Sequence, residues 1–321
     1  MSANINQSKI PVTVLTGFLG SGKTTLLNYI LSAQHGKRIA VIENEYGQIG
    51  IDHEIVINAD EEIFEMNNGC ICCTVRGDLI RILGQLAKKR DRFDYVLIET
   101  TGMADPAPVA QTFFADEQIK EQFELDSIVT IADALHGSEQ LERSPECPRQ
   151  IAFADVVLLN KIDLASPDLI AKMEEQIQQI NPGVEIIKTV KSETALDKLL
   201  SRHSFDLEKT LAQHPQFLTS HHHHHSQVGS VGLTIDGEVN PEKFQNWIGQ
   251  VLQTQGPDIF RLKGIIALPN EKQKYVFQGV HMQTEGRLIG EWKESKKTQL
   301  VFIGRNLNEA ELKKGFEACR L

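Results

Sequence analysis

The sequence predicts a doubly wound α/β domain on a mostly parallel sheet, followed by a second, smaller α+β C-terminal domain. Three observations carry this expectation. In the first two thirds of the chain, short apolar, β-branched runs alternate with longer amphipathic ones, as strands and helices do in a parallel sheet. Runs such as Val156-Val157-Leu158-Leu159 are apolar at every position, which suits strands covered by helices on both faces. Around residues 203–230 the alternation stops, and beyond it the order of elements changes. A length of 321 residues fits two domains of about 150 residues each.

Taken in chain order, strands are predicted over Pro11–Thr16, Arg38–Ile42, Tyr95–Glu99, Ser127–Ala132, Val156–Leu159 and Glu185–Lys188, where apolar and β-branched residues cluster. Helices are predicted over Lys23–Gln34, Thr74–Lys89, Pro167–Ile180 and Thr194–Leu200. In the third of these, Leu169, Met173, Ile177 and Ile180 recur three or four apart and form one apolar stripe. His214-Pro215, Ser220, the run His221, His222, His223, His224, His225, then Ser226, Gly229 and Ser230 read as an exposed connector. After it come a strand (Ser230–Ile235), a helix opened by Pro241 (Pro241–Gln253), strands over Ile259–Leu268, Lys274–His281 and Gln299–Ile303, and a helix over Asn308–Ala318. That order, βαβββα, gives an expected partition into residues 1–214, a His-rich linker 215–229 and a small domain 230–321.

Composition excludes several classes. Thirty-three Lys and Arg against 43 Asp and Glu give a net charge of −10, which disfavours general affinity for nucleic acid or anionic membranes. No apolar run approaches the roughly 18 residues of a membrane span, and the polar start (Asn4, Asn6, Gln7, Ser8) has no secretion-signal core. Five cysteines, three of them at positions 70, 72 and 73, do not describe an extracellular disulfide framework. A reducing, cytoplasmic setting with metal or redox chemistry is expected.

Gly17-Phe18-Leu19-Gly20-Ser21-Gly22-Lys23-Thr24 satisfies G-x-x-x-x-G-K-S/T between a strand and a helix, and Thr25 follows. In such a loop, backbone N–H groups turn inward around a phosphate, and the helix N-terminus adds positive charge. Lys23 would reach the β and γ phosphates, and Thr24 would ligate Mg²⁺. The alternative is an ordinary glycine turn carrying a lysine, which the flanking strand and helix disfavour. Tyr95–Glu99 is an apolar run ending in a carboxylate and followed by Thr100-Thr101-Gly102, the position where a P-loop NTPase holds its magnesium shell. Gly102 could offer its N–H to a γ-phosphate, so its loop would sense hydrolysis. Asn160-Lys161-Ile162-Asp163 follows another strand. The Asp163 carboxylate can accept from guanine N1–H and N2–H₂, a donor pair that adenine lacks, while the Lys161 stem lies along the base. GTP is therefore favoured over ATP.

Asn68-Gly69-Cys70-Ile71-Cys72-Cys73 places three soft thiolates in one short segment, suited to starting a tetrahedral Zn²⁺ or a Cu⁺ site. Buried small hydrophobes and a redox dithiol are the competing readings. The histidine run reads as a loose metal-gathering loop for Zn²⁺ or Ni²⁺, with a solvated linker or an insertion scar as alternatives. Cys147 and Cys319 read as ordinary residues, His281 as packed rather than ligating, and Trp247 and Trp292 as anchors of the small domain.

Together, Gly17–Thr25, Glu43-Asn44-Glu45-Tyr46-Gly47, Cys70–Cys73, Glu99-Thr100-Thr101-Gly102-Met103-Ala104-Asp105-Pro106 and Asn160–Asp163 resemble the CobW-like P-loop GTPases, most of all the bacterial YjiA-type members. Arg261-Leu262-Lys263-Gly264 and Gln278-Gly279-Val280-His281 resemble the second domain of that family. The resemblance implies slow GTP hydrolysis coupled to binding a transition metal, most often zinc with Co²⁺ or Ni²⁺ as alternatives, and delivering it to a metal-requiring client protein. It also implies that the thiolates Cys70, Cys72 and Cys73, Cys72 foremost, share the metal with a switch-region carboxylate at Glu43. Two positions depart from the family pattern: Gln48 stands where relatives often carry Glu, and Asp116 where some carry His. An amide is a poor ligand, which argues against an auxiliary site at position 48. Relatives of this P-loop class often form homodimers. A regulatory GTPase with a merely structural zinc is the alternative reading, and the guanine motif argues against a P-loop kinase.

Overall fold

The computed structural model describes residues 9–33, 36–43, 63–65, 73–202, 228–293 and 295–321. The first sheet has seven strands: β1 (Ile10–Gly17), β2 (Ile39–Glu43), β3 (Ile63–Glu65), β4 (Tyr95–Glu99), β5 (Phe123–Asp133), β6 (Val156–Asn160) and β7 (Glu185–Lys188). Their order is β3-β2-β4-β1-β5-β6-β7, and every neighbouring pair is parallel. The expected doubly wound parallel sheet is present. β1 lies at its centre with β4 on one side and β5 on the other. Connections diverge there, and ligands bind at the carboxyl edge of such a switch point.

The helices among the described residues of this domain are α1 (Lys23–Ser32), α2 (Cys73–Lys88), α3 (Ala107–Ala115), α4 (Glu117–Gln122), α5 (Gly137–Arg143), α6 (Glu146–Phe153) and α7 (Pro167–Ile180). The sequence reading did not anticipate α3 to α6. In α3, Ala107, Val109, Ala110, Thr112, Phe113 and Phe114 are all buried, so no single stripe marks the helix. In α6, Cys147, Pro148, Gln150, Ile151, Ala152 and Phe153 are buried, and the same reasoning holds. The helix expected over Thr194–Leu200 is instead a 3-10 turn at Leu196–Lys198. β3 was also missed, being three residues long, and β5 begins four residues earlier than expected.

The second sheet comprises β8 (Val228–Asp236), β9 (Ile259–Ile266), β10 (Gln273–Val280), β11 (Gln283–Glu291) and β12 (Lys297–Arg305), in the antiparallel order β11-β10-β9-β12-β8. The order is βαββββα, one strand more than expected. β11 is an edge strand, mostly exposed along its length, so it lacks the apolar alternation that would mark it. Helices α8 (Pro241–Gln255) and α9 (Glu309–Glu317) bury Phe244, Ile248, Leu312 and Phe316 against Leu233, Leu262 and Phe302. The other side of this sheet contributes Phe260, Val276, Val301 and Ile303 to a cluster shared with Phe113, Ile151 and Phe153 of the first domain.

A buried ion cluster lies across the same junction. Asp155, just before β6, accepts from Arg261 Nη2 and Lys263 Nζ of β9, both at 2.8 Å, and from the Ile128 N–H at 2.9 Å. Burial opposes its ionisation, but the two cations outweigh that and hold the carboxyl below the ordinary carboxylate range. Among the described residues, no helix is long and apolar enough to cross a membrane.

Candidate nucleotide and metal site

The chain leaves β1 at Gly17 and enters α1 at Lys23. Gly22 occupies the helix N-cap at φ 113°, and a Cβ there would sit 2.5 Å from Asn160 Nδ2. Only glycine fits this close approach. No side chain caps the helix, so its first N–H groups remain at the positive end of the helix dipole. Ser21 is fully buried, yet its hydroxyl has no hydrogen-bond partner among the described residues. A buried hydroxyl is costly to leave unsatisfied, and a phosphate oxygen in the loop would satisfy it.

Lys23 is buried, with Nζ donating to Phe18 O at 3.2 Å. Burial pulls its ammonium below the ordinary lysine range, while the Glu99 carboxylate acts in the opposite direction. Thr24 Oγ1 donates to Glu99 Oε1 at 3.2 Å, so hydroxyl and carboxylate converge across α1 and β4 as a hard, oxygen-only pair that fits Mg²⁺. Gly20 lies at φ 73° in open space, and Thr25 is exposed on the first turn of α1.

Glu99 ends β4 and stands in register with Leu15 of β1 on one side and Glu43 of β2 on the other. Glu43 is in turn in register with Glu65 of β3. The expected metal-side carboxylate therefore starts from the strand next to the expected magnesium-side one, with backbones about 4.8 Å apart. Beyond β4, a Cβ on Gly102 would lie 2.6 Å from Leu19 Cδ2 and 2.8 Å from Leu19 N, so this loop is seated directly on the glycine loop.

On the other side of β1, Asn160 ends β6 with both ends of its carboxamide engaged by the protein. Nδ2 donates to Ser21 O at 2.9 Å, and Oδ1 accepts from Ser192 N at 2.8 Å and Thr189 Oγ1 at 3.2 Å. Ser192 Oγ also donates to Gly22 O at 3.1 Å. Asn160 thus braces the glycine loop against the turn after β7. Lys161, at φ 62°, donates from Nζ to Asp133 Oδ2 at 2.7 Å, which fixes its stem along this edge. Asp163 is exposed in the following turn.

Sequence reasoning missed Asp133, Gln150, Thr189 and Ser192. Asp133 and Thr189 have a signal that could have found them: each lies at or just past a strand's carboxyl end, on the edge that carries Gly17, Glu99 and Asn160. Gln150 sits inside a helix and has no such signal.

Cys70, Cys72 and His221 to His225 lie outside the described residues, and Cys73 is placed only as the first backbone position of α2. Among the described residues, no group of three or more His, Cys, Asp or Glu is arranged to hold a metal. Cys147 and Cys319 are buried, and burial pushes the Cys147 thiol up to about 12, so it offers no thiolate near neutral pH.

A glycine loop between strand and helix, a neighbouring strand's carboxylate on the helix threonine and a braced Asn-Lys-x-Asp turn at the same edge define a P-loop nucleotide-binding domain. Residues 11–188 match the family described as CobW/HypB/UreG, nucleotide-binding domain, and residues 228–320 match the cobalamin synthesis protein cobW C-terminal domain. The chain belongs to this CobW family. It is 34% identical to the zinc chaperone YjiA of Escherichia coli over 97% of its own length and 99% of the relative's. It is 31% identical to zinc-regulated GTPase metalloprotein activator 1 of Dictyostelium discoideum, covering 98% of this chain and 80% of that one. A crystal structure of Zn(II)-bound YjiA GTPase from E. coli superposes with a TM-score of 0.80 at 30% identity, over 98% of this chain and 100% of the other.

Proposed function

We propose that this chain is a GTPase that binds a transition metal, zinc by preference over Co²⁺ or Ni²⁺, and passes it to a metal-requiring client protein in a reducing, cytoplasmic compartment. The observation that carries the reading is the convergence of Thr24 on Glu99, with Glu43 in register on the adjoining strand. Nucleotide chemistry and the start of the metal segment then share one sheet edge. Relatives named zinc chaperones, alike over nearly the full length, support it. So does a Zn(II)-bound structure of YjiA GTPase from E. coli, which is alike over nearly the whole chain.

In this reading, Gly17, Gly20, Ser21, Gly22 and Thr25 line the phosphates through the loop and helix start, and Lys23 supplies the positive charge. Thr24 would hold Mg²⁺ and Glu99 its water shell; when bound, the ion neutralises charge on the phosphate oxygens. Asp163 reads guanine, braced by Asn160 and Lys161, and Gly102 reports whether a γ-phosphate is present. Cys70, Cys72, Cys73 and Glu43 take the metal as cargo, and His221 to His225 hold it loosely.

A metal-competition titration tests the reading, run with a GTP analogue, with GDP and without nucleotide, then repeated on Cys72→Ser. Zinc affinity that differs between the two guanine nucleotides, with the tight site lost in the variant, is expected. Equal affinity in both states would leave a regulatory GTPase with a structural zinc instead, and a tight site kept in Cys72→Ser would refute the ligand set.

A further inference from the structure

Helix α6 touches two things at once. On one side, Gln150, 1% exposed, donates from Nε2 to Gly102 O at 3.2 Å and to Ala104 O at 3.0 Å. Beside it, Arg149 Nη1 donates to Asp105 Oδ2 at 3.3 Å, while Asp105 Oδ1 accepts the Ala107 N–H at 2.9 Å at the start of α3. Three side-chain hydrogen bonds from α6 thus fix residues 102 to 105, the loop seated on Leu19.

On the other side, the same helix is joined to the second sheet. The Arg149 guanidinium lies over the Phe260 ring of β9, 5.6 Å from its centroid. Phe153, at the end of α6, stacks on Phe260 with centroids 5.9 Å apart. The His281 ring, in the turn after β10 at φ 51°, closes the group at 5.6 Å from Phe153 and 5.7 Å from Phe260. Two residues beyond α6, Asp155 pairs with Arg261 and Lys263. A helix of only eight residues carries both sets of contacts.

We propose that Arg149 and Gln150 are positioning residues that tie the loop Gly102–Asp105 to the C-terminal sheet, so that the nucleotide state is felt at Phe260 and at the His281 turn. The proposal rests on the GTPase reading above, because a loop that senses a γ-phosphate is what gives α6 two states to transmit. The physical step is short. The two carbonyls at 102 and 104 are held by one buried amide group, and leaving them without a donor is costly. A displacement of the loop therefore either breaks those bonds or moves α6. α6 in turn cannot shift without disturbing Phe260, because close-packed rings and a buried ion cluster do not deform continuously. Arg149 links both ends directly, through Asp105 and through Phe260.

The test uses the full-length protein and compares wild type with Arg149→Lys, which keeps the charge but loses the planar stack, and with Phe260→Leu, remote in sequence from every nucleotide motif. Affinities for GDP and for a non-hydrolysable GTP analogue are measured with Mg²⁺, together with kcat and KM for GTP. Both variants are expected to hold GDP affinity nearly unchanged while shifting the analogue-to-GDP affinity ratio by about two- to thirtyfold, with the loss of turnover in kcat rather than KM. A ratio that stays put in both variants, or affinities that fall in parallel as from general damage, would overturn the coupling.

Hydrogen exchange on the wild type gives the same answer without a substitution. Backbone protection over residues 256–266 and 281–283 must differ between the GDP and analogue states, and equal protection overturns the proposal. A wild type that binds neither nucleotide would refute the function and the coupling together. An intact guanine site with an unresponsive ratio refutes the coupling alone.

Discussion

Replacing Asp155 by asparagine keeps the shape of the side chain and removes its charge, and the surroundings make the consequence calculable. The carboxylate is the shared acceptor for Arg261 and Lys263, whose side chains are 1% and 9% exposed, and it also caps the Ile128 N–H. Without it, two buried cations lose their common counter-charge, although the Glu285 carboxylate still acts on Arg261. Breaking a buried pair from one side costs about 3–5 kcal/mol, a large share of a native stability of about 5–15 kcal/mol. That cost measures uncompensated charge rather than the intrinsic worth of the ion pair. The assay is urea denaturation with two probes. Both tryptophans, Trp247 and Trp292, belong to the C-terminal domain and report it by fluorescence, whereas far-UV circular dichroism is dominated by the helices of the first domain. Coincident transitions are expected in the wild type. In Asp155→Asn the fluorescence midpoint should fall by about 1–2.5 M urea, for a slope of about 2–3 kcal/mol per M, and separate from the helical one. The pH dependence has a definite sign. The folded carboxyl is depressed, so its stabilisation is present above the unfolded value near 4 and is lost as pH falls through the folded value. The gap between wild type and variant should therefore close in acid. A loss below about 1 kcal/mol at neutral pH, or a gap unchanged in acid, would refute the reasoning.

Two further substitutions probe the nucleotide edge. Gly102→Ala places a methyl group 2.6 Å from Leu19 Cδ2 and 2.8 Å from Leu19 N, so the two loops must part. GTP turnover should drop about ten- to a hundredfold while GDP affinity holds, measured by phosphate release and nucleotide titration. Asp163→Asn removes the acceptor for guanine N1–H and N2–H₂ and should weaken GTP relative to xanthosine triphosphate by about a hundredfold or more, read by competition binding; an unchanged preference would place the base elsewhere.

The architecture was legible where burial leaves a repeating mark. β4, α7 and β7 begin and end where the sequence pattern places them: β4 is apolar up to its terminal Glu99, α7 is apolar along one face, and β7 is a short apolar pair between charged ends. Elements without that contrast were not legible. α3 and α6 are buried on nearly every side, and β11 is exposed along most of its length, so neither pattern shows. The candidate site divides in the same way. The glycine loop, Glu99 and the Asn160–Asp163 turn are spelled out by local residue types whose chemistry needs that spacing. Gln150, Thr189 and Ser192 act through contacts 29 to 170 residues away in sequence, and nothing local distinguishes them from ordinary polar residues. The junction of the domains was hidden for the same reason: Arg261 and Lys263 read as part of a motif, but their partner Asp155 lies more than a hundred residues upstream.

In the proposed reading, parallel pairing is what would let metal and nucleotide influence each other in so small a space. Residues 43, 65 and 99 are far apart in sequence, yet the registers Glu43↔Glu65 and Glu43↔Glu99 set them in one row across three strands. With strands about 4.8 Å apart, the row spans about 10 Å. Cys70 follows the end of β3 by only five residues and Cys73 opens α2, so the thiol segment is tethered at both ends to elements of this edge. Thr24 and Glu99 anchor the opposite end of the row. In the proposed reading, a metal taken up by the thiolates with Glu43 would bear on the strand beside the one that presents Glu99, and a nucleotide-dependent change at Glu99 would meet it across a single strand spacing. Linkage then fixes the reciprocity: whatever factor the nucleotide applies to metal affinity, the metal applies to nucleotide affinity.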